Sequence, residues 1–122
     1  MAKRFLLIED DQLTLRLMSA ILTRAGHEVV AVERVPDAIA ALKSQSFDLA
    51  TCDLMIPDVS GLDFLGMMRK GDLPQHLPVI VVTATGFEAE LEQAKNMGAA
   101  QILRKPFTSQ QLLDTVASVL GH

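Results

Sequence analysis

Apolar residues in this chain follow two alternating rhythms. Short unbroken runs recur, and between them apolar positions return every three or four residues. The first rhythm is that of a buried strand and the second that of a helix with one buried face. Residues 5–8 form the first run. Leu13, Leu17, Ala20, Ile21 and Ala25 then predict the buried stripe of helix one, closed by Gly26 as a cap residue. Strand two is expected over 28–33. Pro36 suits the first position of helix two, with Ala38, Ile39, Ala41 and Leu42 facing inward. Leu49–Cys52 reads as strand three and runs into Asp53. A turn marked by Pro57, Asp58 and Gly61 leads to helix three, with Leu62, Leu65 and Met68 as its stripe and Gly71 as its stop. Residues 79–82 are apolar on both faces, as in a parallel strand covered on both sides. Helix four is expected over 88–97, before Gly98, and strand five over Gln101–Arg104. A capping box, Thr108 with Gln111, opens helix five, which buries Leu112, Leu113, Val116, Val119 and Leu120.

Five strands alternating with five helices predict an α/β fold. The expected form is a doubly wound, five-stranded parallel sheet with helices on both faces, a flavodoxin-like (βα)5 sandwich. At 122 residues the chain is too short for an eight-stranded barrel and is expected to form one domain over 1–122.

Composition narrows the classes of function. The net charge of −4 argues against nonspecific binding to nucleic acid, which needs a basic footprint. No apolar run approaches the ~20 residues of a membrane helix. Lys3 and Arg4 precede apolar residues, but Glu9 ends that run too early for a secretory signal. The single cysteine, Cys52, lies in a strand and reads as a small core residue. No internal disulfide can form, and a reducing, cytoplasmic setting is expected.

In a parallel sheet all strand C-termini share one edge, where ligands of open α/β sheets bind. Four strands here end in polar residues. Strand one ends in Glu9, Asp10 and Asp11, strand three in Asp53, strand four in Thr83 and strand five in Lys105. Singly, each has an ordinary reading: a solvated acidic cap, a turn aspartate, a buried threonine bonded to backbone, a surface lysine. Together the topology sends them to one cleft. Clustered carboxylates repel unless a cation joins them, and an all-oxygen site suits Mg²⁺. A hydroxyl and an ammonium beside that cation can hold phosphoryl oxygens, and a carboxylate can act as nucleophile toward phosphorus.

Glu9-Asp10-Asp11, Asp53 with Pro57 and Gly61, Thr83-Ala84 and Lys105-Pro106-Phe107, in this order and spacing, resemble the receiver domain of two-component response regulators. The resemblance covers essentially the whole chain and points to single-domain, chemotaxis-regulator-like members. It implies that Asp53 accepts a phosphoryl group from the phosphohistidine of a sensor histidine kinase or phosphotransfer protein. It also implies Mg²⁺ held by the acids with the Met55 backbone carbonyl. Thr83, Lys105 and the Ala84 backbone N–H would bind the phosphoryl oxygens, and the Lys105–Pro106 bond would be cis. Such a module promotes its own phosphorylation and dephosphorylation but is not an enzyme acting on a separate substrate.

The resemblance also implies an output face built from helix four, strand five and helix five, read by a downstream protein or a second copy of the chain, with Thr83 and Ile102 as switch residues. Neither nucleic acid nor membrane is an expected direct partner. Truncating Lys105 to Ala is expected to change stability little and to blunt the response.

The chain departs from the family pattern in two places. Three acids follow strand one where the family has two. Ile8 ends the apolar run, which favours Glu9 with Asp10, Asp11 then starting helix one. The pairing of Asp10 with Asp11 stays open. Ile102 stands where the family often has an aromatic ring that turns inward, so a phosphorelay carrier or an interaction module without an aromatic switch is an alternative. A flavin-binding electron carrier would want a hydroxyl- and glycine-rich loop after strand one and stacking aromatics; the chain has acids there and no Trp or Tyr. An aspartyl-phosphate phosphatase would want a second Asp two residues after Asp53, where Met55 stands.

Overall fold

The structure, a computed structural model, describes residues 2–56 and 59–121. The strands are β1 (Arg4–Ile8), β2 (Glu28–Val32), β3 (Leu49–Cys52), β4 (Val79–Thr83) and β5 (Gln101–Arg104). The helices are α1 (Gln12–Arg24), α2 (Val35–Ser44), α3 (Gly61–Lys70), α4 (Glu88–Asn96) and α5 (Ser109–Leu120). All neighbouring strands pair in parallel, in the order β2-β1-β3-β4-β5. The doubly wound α/β sandwich read from the sequence is the observed fold. Pro57 and Asp58, assigned to the turn after Asp53, lie outside the described residues.

Alternation along the strands divides the core in two. Leu6, Ile8, Ala50, Cys52, Val79 and Val81 point to one face and pack with residues of α2, α3 and α4, among them Leu42, Phe64, Met68 and Ala94. Phe5, Leu7, Leu49, Ile80, Val82 and Leu103 point to the other and meet Met18 and Leu22 of α1 and Leu112 and Val116 of α5. β1, β3 and β4 are covered on both faces, which is why they read as unbroken apolar runs.

The helix ends follow local chemistry. Ser60 with Asp63, and Thr108 with Gln111, form full capping boxes at α3 and α5. Gly71 closes α3 at φ +78°, in the left-handed region that glycine adopts without Cβ strain.

Four expectations shift. The stripe Leu13, Leu17, Ala20, Ile21, Ala25 is not the buried face of α1. Leu13 is 77% exposed and Leu17 48%, while Met18 and Leu22 are buried and Leu15 and Ile21 half-buried. α1 carries apolar residues on more than one side, so periodicity alone could not choose the inner face. Pro36 is the second residue of α2, not the first. β2 ends at Val32, one residue early, and α4 ends at Asn96.

Candidate phosphoacceptor site

β1 and β3 are central neighbours, and Ile8 pairs with Cys52. The next residue of each strand is therefore side by side at the sheet edge: Glu9 after β1 and Asp53 after β3. Asp53 N–H donates to Ile8 O at 3.2 Å, and Glu9 N–H to Val32 O at 3.0 Å, so both backbones are fixed as the ladders end. This is the place where connections leave β1 and β3 in opposite directions, the crevice that open α/β sheets offer to ligands.

Glu9 and Asp53 are buried, 2% and 5% exposed, and Asp10 stands exposed at the rim. Carboxylate oxygens of the three lie within 4.8 Å of one another. The cation among them is Lys105, whose Nζ is 2.6 Å from Glu9 Oε1 and 2.7 Å from Asp53 Oδ2. Asp53 Oδ1 accepts from Met55 N–H at 3.0 Å, and Glu9 Oε2 accepts from Asp11 N–H at 3.2 Å. Among the contacts described, the Lys105 ammonium is the partner of Glu9 Oε1. Burial raises the pKa of Glu9, and the Asp53 charge adds to this; Lys105 and the Asp11 N–H oppose it only in part. For Lys105, burial disfavours the ammonium, but hydrogen bonds and charges from Asp53 and Glu9 outweigh it and hold its pKa above the ordinary value. Burial keeps the Cys52 thiol neutral, with its pKa pushed up further by Asp53 and Glu9.

Thr83 is the last residue of β4 and fully buried; its Oγ1 accepts from Thr85 N–H at 3.4 Å. Lys105 N–H donates to Thr83 O at 3.0 Å, which ties the ends of β4 and β5 together. Ala84 is exposed at the cleft and lines, with Thr14, Leu17, Pro106 and Phe107, a shallow hollow beside Lys105. The Lys105–Pro106 peptide bond is cis. Ile102 is half-buried and packs against the core cluster that contains Ala94.

Asp11 is not part of the acidic group. It is the N-cap of α1: its carboxylate accepts from Thr14 N–H at 3.0 Å and from the Thr14 hydroxyl, and these bonds lower its pKa. The geometry therefore favours the pairing of Glu9 with Asp10. Both buried carboxylates share the Lys105 ammonium, a contact that the expected tolerance of Lys105 to truncation did not take into account. Gly61 carries a role not read from the sequence. A Cβ there would lie 2.2 Å from the carbonyl oxygen of Asp53, so only glycine lets α3 start against the backbone of Asp53. The signal was present as a glycine eight residues after the aspartate, but it read as turn chemistry and as part of the receiver signature, without this packing role.

Three carboxylates whose oxygens lie within 4.8 Å of one another, two of them buried and sharing one ammonium, with the group open at the Asp10 side, fit a hard divalent cation such as Mg²⁺. Residues 5–117 match the family model of the response regulator receiver domain. The chain belongs to that family, and its acidic pocket of Glu9, Asp10 and Asp53 fits a phosphoacceptor site with Mg²⁺. It is 38% identical over 117 residues to the response regulator protein FleR of Pseudomonas aeruginosa, covering 96% of this chain and 24% of FleR. It is 27% identical over 121 residues to the polar-differentiation response regulator DivK of Brucella anthropi, covering 99% of this chain and 98% of DivK. The chain thus spans about a quarter of one relative and nearly all of the other. Among solved structures, the chemotaxis response regulator CheY4 of Vibrio cholerae superposes with a TM-score of 0.87 at 25% identity, over 98% of this chain and 99% of CheY4. No helix among the described residues is long and apolar enough to cross a membrane.

Proposed function

We propose that Asp53 is the phosphoryl acceptor of a receiver domain spanning 1–122, working in the cytoplasm. A carboxylate oxygen of Asp53 attacks phosphorus, the P–N bond of a phosphohistidine on a histidine kinase or phosphotransfer protein breaks, and the imidazole, protonated at its other ring nitrogen, leaves as the neutral base. The observation that carries this reading is the placement of Asp53: buried at the end of β3, within hydrogen-bond distance of Lys105, and beside Glu9 and Asp10. Glu9, Asp10, Asp53 and the Met55 carbonyl would hold Mg²⁺. Bound there, the cation supplies positive charge that offsets the crowded carboxylates and the incoming phosphoryl oxygens. Lys105 holds one Asp53 oxygen and the Met55 N–H the other, which orients the carboxylate. Thr83 and the Ala84 N–H would complete the binding of the phosphoryl group.

The phosphoryl group brings about −1.5 to −2 of charge to the cleft. Thr83, turning toward it, would draw the β4–α4 loop along, so the output face is α4, β5 and α5, presented to a protein or to a second copy of the chain. Ile102 favours a second reading. Its side chain has no hydroxyl to follow Thr83, which fits a carrier passing the group onward as well as a switch.

The test is mass spectrometry after incubation with acetyl phosphate and Mg²⁺. The protein should gain one phosphoryl mass and Asp53→Asn should gain none. Equal labelling of the variant refutes the assignment.

A further inference from the structure

We infer that the ion pair between Glu88 and Arg104 is a clasp on the β4–α4 loop that opposes the change accompanying phosphoryl uptake at Asp53. This rests on the function proposed above and concerns what resists it. Arg104 Nη2 donates to Glu88 Oε1 at 2.8 Å. Glu88 is the first residue of α4 and Arg104 the last of β5. Arg104 pairs in register with Thr83 on the neighbouring strand and directly precedes Lys105. The loop of residues 84–87 leaves the sheet at Thr83 and arrives at Glu88. The ion pair therefore ties the far end of the loop back to the strand beside its near end.

Little else polar holds that loop. Thr85 N–H reaches Thr83 Oγ1 at 3.4 Å and Phe87 N–H reaches Thr85 Oγ1 at 3.3 Å, both long. Phe87 stands at the N-cap of α4, makes no side-chain cap bond, and is 71% exposed. Beyond the first turn, α4 buries Leu91 and Ala94. Glu88 and Arg104 also line, with Leu91 and Ile102, a groove of about 270 Å³ between α4 and β5.

A Thr83 hydroxyl turned toward a phosphoryl group on Asp53 gives up its bond from Thr85 N–H, and the loop loses one of its two internal ties. The first turn of α4 is then free to shift, while Arg104 stays in the β5 ladder, and the ion pair separates. A contact made in one state and not the other biases the equilibrium by its own strength. An exposed pair of this kind is worth about 1.5- to 5-fold in an equilibrium constant and weakens in salt.

The test uses beryllium fluoride with Mg²⁺ as phosphoryl mimic, its bound fraction read by ¹⁹F NMR. Glu88→Gln and Arg104→Gln should each bind the mimic more tightly, by about 1.5- to 5-fold. The double variant should match either single one, since the second change removes nothing further. Arg104→Lys should stay near the unmodified protein, and the differences should shrink in 1 M salt, where the Debye length falls to about 3 Å. A general loosening of the fold would weaken binding or add up in the double variant, and either result overturns the clasp. So does equal affinity in all variants while the unmodified protein binds. If the unmodified protein and Asp53→Asn both fail to take up the mimic, the phosphoacceptor reading fails, and the clasp with it.

Discussion

Gly61→Ala is the sharpest test of how the fold holds its aspartate. The added Cβ would lie 2.2 Å from the carbonyl oxygen of Asp53, 2.8 Å from its carbonyl carbon and 2.8 Å from Leu54 Cα. All three are backbone atoms at the end of β3, so no side chain can swing aside. Overpacking in cores where side chains can yield costs about 1–3 kcal/mol. A backbone wall puts this site at the upper end or beyond, and alanine's helical preference offsets up to about 1 kcal/mol. A net loss of about 2–4 kcal/mol follows. Gly66, five residues along the same helix, is the internal control. Its added Cβ would meet Met97 Cε at 3.2 Å, the tip of a flexible side chain, so Gly66→Ala should stay within about 1 kcal/mol of the unmodified protein. Urea unfolding followed by far-ultraviolet circular dichroism measures both, since the chain has no Trp or Tyr to report by fluorescence. Acetyl phosphate labelling of folded Gly61→Ala should also be slower, because relief of the clash displaces Asp53. A Gly61→Ala protein as stable as its parent, or a Gly66→Ala protein that loses more, would refute the reasoning.

Lys105→Met leaves Glu9 and Asp53 without their shared cation. Breaking a buried pair costs about 3–5 kcal/mol, and the partial exposure of Lys105 and the open Asp10 side reduce this to about 2–4 kcal/mol in metal-free buffer. Urea unfolding with and without Mg²⁺ checks it, and the deficit should narrow when Mg²⁺ is added; an unchanged midpoint contradicts the dependence. Asp10→Asn should weaken Mg²⁺ binding by calorimetric titration while Asp11→Ala should spare it and instead lower the melting temperature, through loss of the α1 cap. The opposite ordering would return Asp11 to the acidic pair.

The fold was legible because β1, β3 and β4 are buried on both faces and announce themselves as apolar runs that end abruptly in polar residues. That abruptness also exposed the site: Glu9, Asp53 and Thr83 each follow or close such a run, and Lys105 follows the edge strand β5. α1 was misread because Leu13 and Leu17 satisfy helical spacing as well as Met18 and Leu22 do. The choice between faces is made by where β1 and α5 lie, which no local pattern encodes. The shared contacts of Lys105 were out of reach for a similar reason. A lysine fifty-two residues from its aspartate is placed by the register of β3, β4 and β5, and its burial follows from that placement. Asp11 was ambiguous in sequence because an acid suits both a metal site and a helix N-cap; the hydroxyl and N–H of Thr14, three residues on, decide it.

The charge balance of the cleft explains why its parts must act together. Three carboxylates gather at the cleft, the two buried ones paired to a single ammonium, so their formal negative charge exceeds what Lys105 can balance. A phosphoryl group adds about −1.5 to −2 more. In the proposed function that charge requires a divalent cation at the acids. It also frees Lys105, since a cation taking over Glu9 and Asp53 leaves the ammonium to face the new phosphoryl oxygens. Lys105 is bonded through its backbone to Thr83 and follows Arg104, the strand partner of Thr83. The residue whose charge is redistributed is thus joined directly to Thr83, where the β4–α4 loop leaves the sheet, and to Arg104, the ion-pair partner of Glu88 at the far end of that loop. In the proposed function, an electrostatic event at Asp53 would reach the α4–β5–α5 face through the end of β5, whether or not an aromatic ring stands at position 102.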